Sequence, residues 1–313
     1  MNASPLIQVD ELYRLLAGPE MGRPVVLDVR FRLGEPNGRL DFERAHVPGA
    51  AYVDMDTELA TIRPDGVGGR HPMPTVETFT AAMRSAGVTM SRPVVAYDDW
   101  VSLPASRLWW MLRHLGFLDV RVVDGGIAAW TAAGHPTESG PHPPEVGDFS
   151  PSSPGFGRLL DATAAATYAA RHVLLDARTA DRFRGENETI DAVAGHIPGA
   201  ISTPALDTVD AGGRFLAADQ LAARFRERGV GGAVGAVQAT GAPEADEVAE
   251  ADEVAEADGI AEARTVGTYC GSGVQATHLA LALSITGITD RADVYIGSWS
   301  DWITDSDRPI ATG

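Results

Sequence analysis

Short apolar runs that end in polar residues recur along the chain, each followed by apolar positions at helical spacing. Pro24-Val-Val-Leu-Asp-Val-Arg30 is such a run and predicts a buried strand. Pro93-Val-Val-Ala-Tyr97 and Val120-Arg-Val-Val-Asp124 predict two more. Residues 75–87 predict a helix with Thr75 as its cap and Gly87 as its stop. Ala105 to Leu115 predicts a helix rich in Trp, Leu and Met. Residues 6–17 read as a short strand and then a helix with Asp10 as N-cap. Gly125-Gly126 opens a helix that ends at Trp130. Strands alternating with helices imply an α/β class with a parallel sheet flanked by helices. Sites in such sheets form at the carboxyl ends of the strands. Asp98 and Cys270 both hold that kind of position.

The apolar periodicity lapses over residues 137–157, which are rich in Pro, Gly and Ser. When it resumes, it repeats. Val25-Val-Leu-Asp-Val-Arg30 matches Val173-Leu-Leu-Asp-Ala-Arg178, 148 residues on. His46-Val-Pro-Gly-Ala50 matches His196-Ile-Pro-Gly-Ala200, 150 residues on. Val94-Val-Ala-Tyr97 matches Val266-Gly-Thr-Tyr269, and Gly125 to Trp130 matches Gly297 to Trp302, both 172 residues on. Ordered matches of this kind mark a duplication. The expected organisation is a first domain over 1–140, a linker over 141–157 and a second domain over 158–313. The jump from 150 to 172 locates extra residues in the second half, at about 236–262. There a six-residue unit based on Ala-Asp-Glu-Val-Ala-Glu occurs three times. A period of six fits neither a helix turn nor a heptad, so an acidic, solvated insertion is expected.

Composition narrows the function. The chain has 313 residues and a net charge of −18, inflated by the acidic insertion. Nucleic acid and anionic membrane surfaces are therefore not expected partners. No apolar run approaches the ~20 residues of a membrane span. The N-terminus lacks the charged and apolar regions of a signal peptide, so a cytoplasmic location is expected. The single cysteine excludes an internal disulfide and a Cys-rich zinc site.

That cysteine follows the strand-like run at 265–269 and precedes an Ala/Leu-rich helical pattern. Gly271 and Gly273 open the backbone around it. A strand, a glycine-rich loop and a helix start let N–H groups converge on an anion. Those groups and the helix dipole favour the thiolate over the thiol.

The duplicated Asp-x-Arg and His-[Ile/Val]-Pro-Gly-Ala motifs, with one Cys270-Gly-Ser-Gly-Val274 loop, resemble the two-domain rhodanese family. These are the thiosulfate and 3-mercaptopyruvate sulfurtransferases. The resemblance covers nearly the whole chain apart from the insertion. It implies two rhodanese-like domains, the first non-catalytic, with Asp98 (or Asp99) where the second has Cys270. It implies that Cys270 is the nucleophile and becomes a persulfide, in two half-reactions. No metal or organic cofactor is implied. The partners implied are a small anionic sulfur donor and a thiol or cyanide acceptor. The loop residues Gly271, Ser272, Gly273, Val274 and Gln275 would surround the sulfur with amides. Arg182 matches the family's substrate-binding arginine, and Arg184 is a candidate supplement. Ser272, Asp56 and His71 match a serine, aspartate and histidine of mercaptopyruvate enzymes, which could relay a proton. Arg178, His46 and His196 read as structural, and Asp124, Trp130 and Trp302 as packing and turn residues.

The resemblance leaves the donor open. Mercaptopyruvate enzymes usually carry a second arginine shortly after Gly185, and the stretch Glu186 to Asp191 has none. Thiosulfate enzymes usually carry cationic residues directly after the cysteine, and Gly271 and Ser272 are neutral. Gln275 stands where the family usually has threonine. A phosphatase needs an arginine six residues after the cysteine, and position 276 is alanine. A non-enzymatic rhodanese module that carries sulfur or binds a partner is the alternative.

Overall fold

The computed structural model describes residues 4–20, 22–35, 38–140, 143–152, 156–231, 265–289 and 291–313. The acidic repeats and part of the linker lie outside these residues. The first half runs β1 (Leu6–Ile7), α1 (Val9–Ala17), β2 (Val25–Asp28), α2 (Gly38–Arg44), β3 (Ala51–Tyr52), α3 (Val76–Ser85), β4 (Val94–Tyr97), α4 (Leu103–His114), β5 (Val120–Val123) and α5 (Gly126–Ala132). The second runs α6 (Ala162–Arg171), β6 (Val173–Asp176), α7 (Ala180–Arg184), β7 (Ile201–Ser202), α8 (Ala218–Glu227), β8 (Val266–Tyr269), α9 (Val274–Thr286), β9 (Asp293–Val294) and α10 (Ser298–Trp302). A 3-10 turn spans Ala205–Thr208.

Among the described residues there is one sheet per half. The first has the order β1-β5-β4-β2-β3 and the second β7-β6-β8-β9. Every pairing between these strands is parallel. Strands β2, β4, β6 and β8 are buried at all four positions. Helices cover both faces of each sheet, so their sequences read as continuous runs rather than alternations. Among the described residues, the second half has no full counterpart of β1. A single parallel bridge, Leu159 to Val294, stands in its place.

The duplication extends to individual atoms. Arg30 Nη2 donates to Asp28 at 2.7 Å and to Ala45 O at 2.7 Å. Arg178 Nη2 donates to Asp176 at 2.7 Å and to Gly195 O at 2.7 Å. His46 Nδ1 donates to Phe42 O, and His196 Nδ1 to Phe183 O, both at 2.8 Å. Each imidazole also stacks on that phenylalanine. Trp130 and Trp302 each donate an indole N–H to a proline carbonyl, Pro136 O and Pro309 O. Buried polar groups have fixed partners in both copies, which is why the motifs recur in the sequence.

One expectation is corrected. Asp10 is not the cap of α1. The helix starts at Val9, two residues earlier than an Asp10 cap implies; Gln8 is the cap, and Asp10 lies in the first turn, where it faces the helix dipole and pairs with His135. Thr75 caps α3 by accepting from Thr78 N.

The two halves meet along α4 and α9. Residues Leu103 to Leu112 of α4 are all buried, as are most residues of α9. Neither helix has a solvated face to display. One apolar core runs through both halves, from Leu27 and Leu108 to Leu175 and Leu281.

Candidate active site

Strand β8 delivers Cys270 to the carboxyl edge of the second sheet, as β4 delivers Asp98 in the first. The Cys270 side chain is buried. Its carbonyl accepts from Trp299 N at 2.9 Å, and that of Gly271 accepts from Ser300 N at 3.0 Å. With these carbonyls held by α10, the following amides turn inward. Ser272 N and Gly273 N approach Sγ at 3.4 and 3.1 Å. The Ser298 hydroxyl accepts from Cys270 N at 3.0 Å and lies 3.9 Å from Sγ. Gly273 caps α9 at a φ of 82°, a conformation that glycine adopts without strain. In the first half the corresponding cradle is filled by a carboxylate. Asp98 accepts from the amides of Trp100, Ser102 and Ala105 at 2.8–3.0 Å. Position 98, not 99, is the counterpart of the cysteine.

The first half closes over the loop. His71 Nδ1 lies 2.9 Å from the Ser272 hydroxyl, and its Nε2 lies 3.3 Å from Asp56 Oδ1. His71 is buried, and the Asp56 carboxylate is half exposed. Phe31 meets the His71 ring edge-on. Serine, histidine and aspartate thus form a chain from the loop to solvent. A cleft of about 600 Å³ opens beside it, lined by Phe31, Asp56, Ile62, Arg70, His71 and Ser300.

Two guanidinium groups flank Gly271. A Cβ on this glycine would lie 2.8 Å from Arg70 Nη2 and 3.6 Å from Arg182 Nη1. Arg182 comes from α7, and Glu188 and Asp191 hold it at 2.9 and 2.8 Å. Arg70 comes from the first half and pairs with the other oxygen of Asp191. Arg184 pairs at 2.6 Å with the exposed carboxylate of Glu186, and among the described contacts none joins it to the loop. Arg178 is fully buried on Asp176 and stacks on Trp299. Val274 and Gln275 form the first turn of α9, with Val274 buried and Gln275 partly so.

Sequence reasoning passed over Arg70, although it directly precedes His71. It also passed over Arg107, the one charge in the buried stretch Leu103 to Leu112 of α4. A cation in an otherwise apolar buried helix is the signal that could have found it.

Fold and site together define a duplicated α/β protein. A carboxylate fills the loop of one copy and a thiol that of the other, and the first copy completes the second copy's site. The family model of the rhodanese-like domain matches residues 8–133 and 158–305. The chain belongs to the rhodanese family. It is 37% identical over 317 residues, all of both chains, to a Pseudomonas aeruginosa protein named "Probable 3-mercaptopyruvate sulfurtransferase". It is 37% identical over 299 residues to SseB of Mycobacterium tuberculosis, named for thiosulfate sulfurtransfer, covering 94% of this chain and 93% of that one. The solved structure of SseA from Escherichia coli, a 3-mercaptopyruvate sulfotransferase by its description, superposes with a TM-score of 0.73 at 26% identity. It covers 95% of this chain and 99% of that one.

Proposed function

We propose that the protein moves a sulfane sulfur from 3-mercaptopyruvate or thiosulfate to a thiophilic acceptor through a persulfide on Cys270. The observation that carries this reading is the buried Cys270 sulfur facing two backbone amides, with Arg70 and Arg182 beside it at Gly271. The Cys270 thiolate attacks the outer sulfur of the donor. The bond from that sulfur to carbon breaks, and its electron pair leaves on the enolate of pyruvate; with thiosulfate the pair leaves on sulfite. A thiolate or cyanide then takes the outer sulfur from the persulfide and returns Cys270 to the thiolate. The amides of Ser272 and Gly273 stabilise charge on sulfur through both half-reactions. Ser272, His71 and Asp56 deliver the proton that converts the enolate to pyruvate.

The donor's carboxylate lies between Arg182 and Arg70. Arg70 supplies the guanidinium that the stretch from Glu186 to Asp191 lacks, which favours a carboxylate donor over thiosulfate. The half before the linker, residues 1–140, provides Asp56, Arg70 and His71, and the half at 158–313 provides the nucleophile. The cytoplasm is the proposed location, supported by the free cysteine, which a reducing compartment keeps available. Among the described residues no helix is long and apolar enough to cross a membrane.

Steady-state kinetics with each donor and cyanide as acceptor test the reading. Cys270→Ser should abolish transfer from both donors and leave the thermal melt in place. Near-normal transfer by that variant would sink it.

A further inference from the structure

Arg107 is fully buried in the middle of α4. Its Nη2 donates to His71 O at 2.9 Å and to Leu59 O at 3.1 Å. Its Nε and Nη1 have no hydrogen-bond partner, and among the described residues no carboxylate pairs with it. A buried cation without a counter-charge is costly, and such groups persist where another charge offsets them. Nη1 is aimed at the cysteine loop. A Cβ on Gly273 would lie 2.8 Å from it, and the amide of that same glycine lies 3.1 Å from Cys270 Sγ. Burial pulls the Arg107 pKa down to about 10, and the charge that opposes this fall is that of Cys270.

The other groups around the thiol have partners of their own or carry no charge. Arg182 is held by Glu188 and Asp191, and Arg70 by Asp191. His71 stands beyond the Ser272 hydroxyl. On α10, Ser298 is neutral, and Asp301 is bonded to Tyr295 and to Gly68 N. On α9, His278 is turned to Thr208, and burial pulls its pKa down to about 4, so it is neutral. The loop from Gly271 to Gln275 has no cation of its own.

We propose that Arg107, reaching under the loop from the first half, is the counter-charge of the Cys270 thiolate and also a positioning residue for His71 through its carbonyl. The proposal rests on Cys270 being the nucleophile. The thiolate and the persulfide anion both leave one negative charge opposite Arg107. The pair therefore persists through both half-reactions, and Arg70 and Arg182 remain available to the donor. A protonated thiol would leave the guanidinium unpaired.

Arg107→Gln removes the charge and keeps a donor for the two carbonyls, whereas Arg107→Lys keeps the charge. Alkylation of Cys270 by iodoacetamide is followed across pH in each folded protein. Arg107→Gln should slow neutral-pH alkylation roughly tenfold and move the profile about one unit to the alkaline side, with rates converging at high pH. Arg107→Lys should stay within about threefold of the unaltered chain. An unchanged profile in Arg107→Gln overturns the proposal. If that variant does not fold, nitrogen-15 NMR of arginine-labelled intact protein decides. The Arg107 resonance should move with pH at the alkylation midpoint and stay still in Cys270→Ser; a resonance indifferent to Cys270 overturns the proposal. Failure of the unaltered chain to transfer sulfur would overturn the activity instead, and would leave the alkylation result standing.

Discussion

At Gly271 two arginines from different halves meet, and Asp191 ties them together. Arg70 lies 121 residues from Asp191, so no local spacing advertises the pair. Arg182 was legible because the run from Asp176 to Gly185 carries a family pattern. Arg184 shares that run, but Glu186 two residues on holds it at the surface. Sequence proximity thus suggested a supplement to Arg182 that the fold supplies from the other half. If Arg70 binds the donor's carboxylate as proposed, replacing it by Met should raise the KM for 3-mercaptopyruvate on the order of tenfold to a hundredfold, with kcat changed less. An unchanged KM would mean that Arg182 alone holds the donor. Ser272, His71 and Asp56 were found by resemblance, and the structure places them in one chain.

Among the elements, the central strands β2, β4, β6 and β8 were the most legible. They are buried at all four positions, so short runs of mostly apolar residues mark them. Helices α4 and α9 were legible as helices but not as partners. Burial all round erases the apolar stripe that would show which face packs where. The ends of α9 offer a matched comparison. Gly273 at its start and Gly287 at its end have φ values of 82° and 70°. Alanine at either pays about 1 kcal/mol for left-handed backbone. Around Gly287 there is open space, whereas a Cβ at 273 would lie 2.5 Å from Ile296 O. Gly273→Ala should therefore lose clearly more stability than Gly287→Ala in denaturant unfolding, and it should lose sulfur transfer as well. Equal losses would mean that the loop yields without cost.

Across the whole molecule, the duplication was readable from ordered motifs, and the resemblance brought Asp56 and His71 of the first half to Ser272 of the second, whereas the crossing of Arg70 and Arg107 was not readable. Interface contacts form between residues with no shared period. The first loop also gives the folded protein a distinct pH response. Burial raises the Asp98 pKa from 3.8 to about 6 against three amide hydrogen bonds that lower it. The folded carboxyl therefore keeps its proton where the unfolded chain has released it. The stability it contributes is full below about pH 4 and is lost as pH rises through about 6. Compared with Asp98→Asn, the unaltered chain should lose on the order of 2 kcal/mol over that window. Unfolding free energies measured at each pH check this, and parallel curves for the two proteins would refute it.

Arg70, His71 and Arg107 all project from the half that has no thiol. The copy that carries Asp98 in its loop thus reaches into the loop of its twin. Deleting the first copy would therefore strip the cysteine loop of the second of its neighbours. A lone second copy would have to evolve replacements for all three.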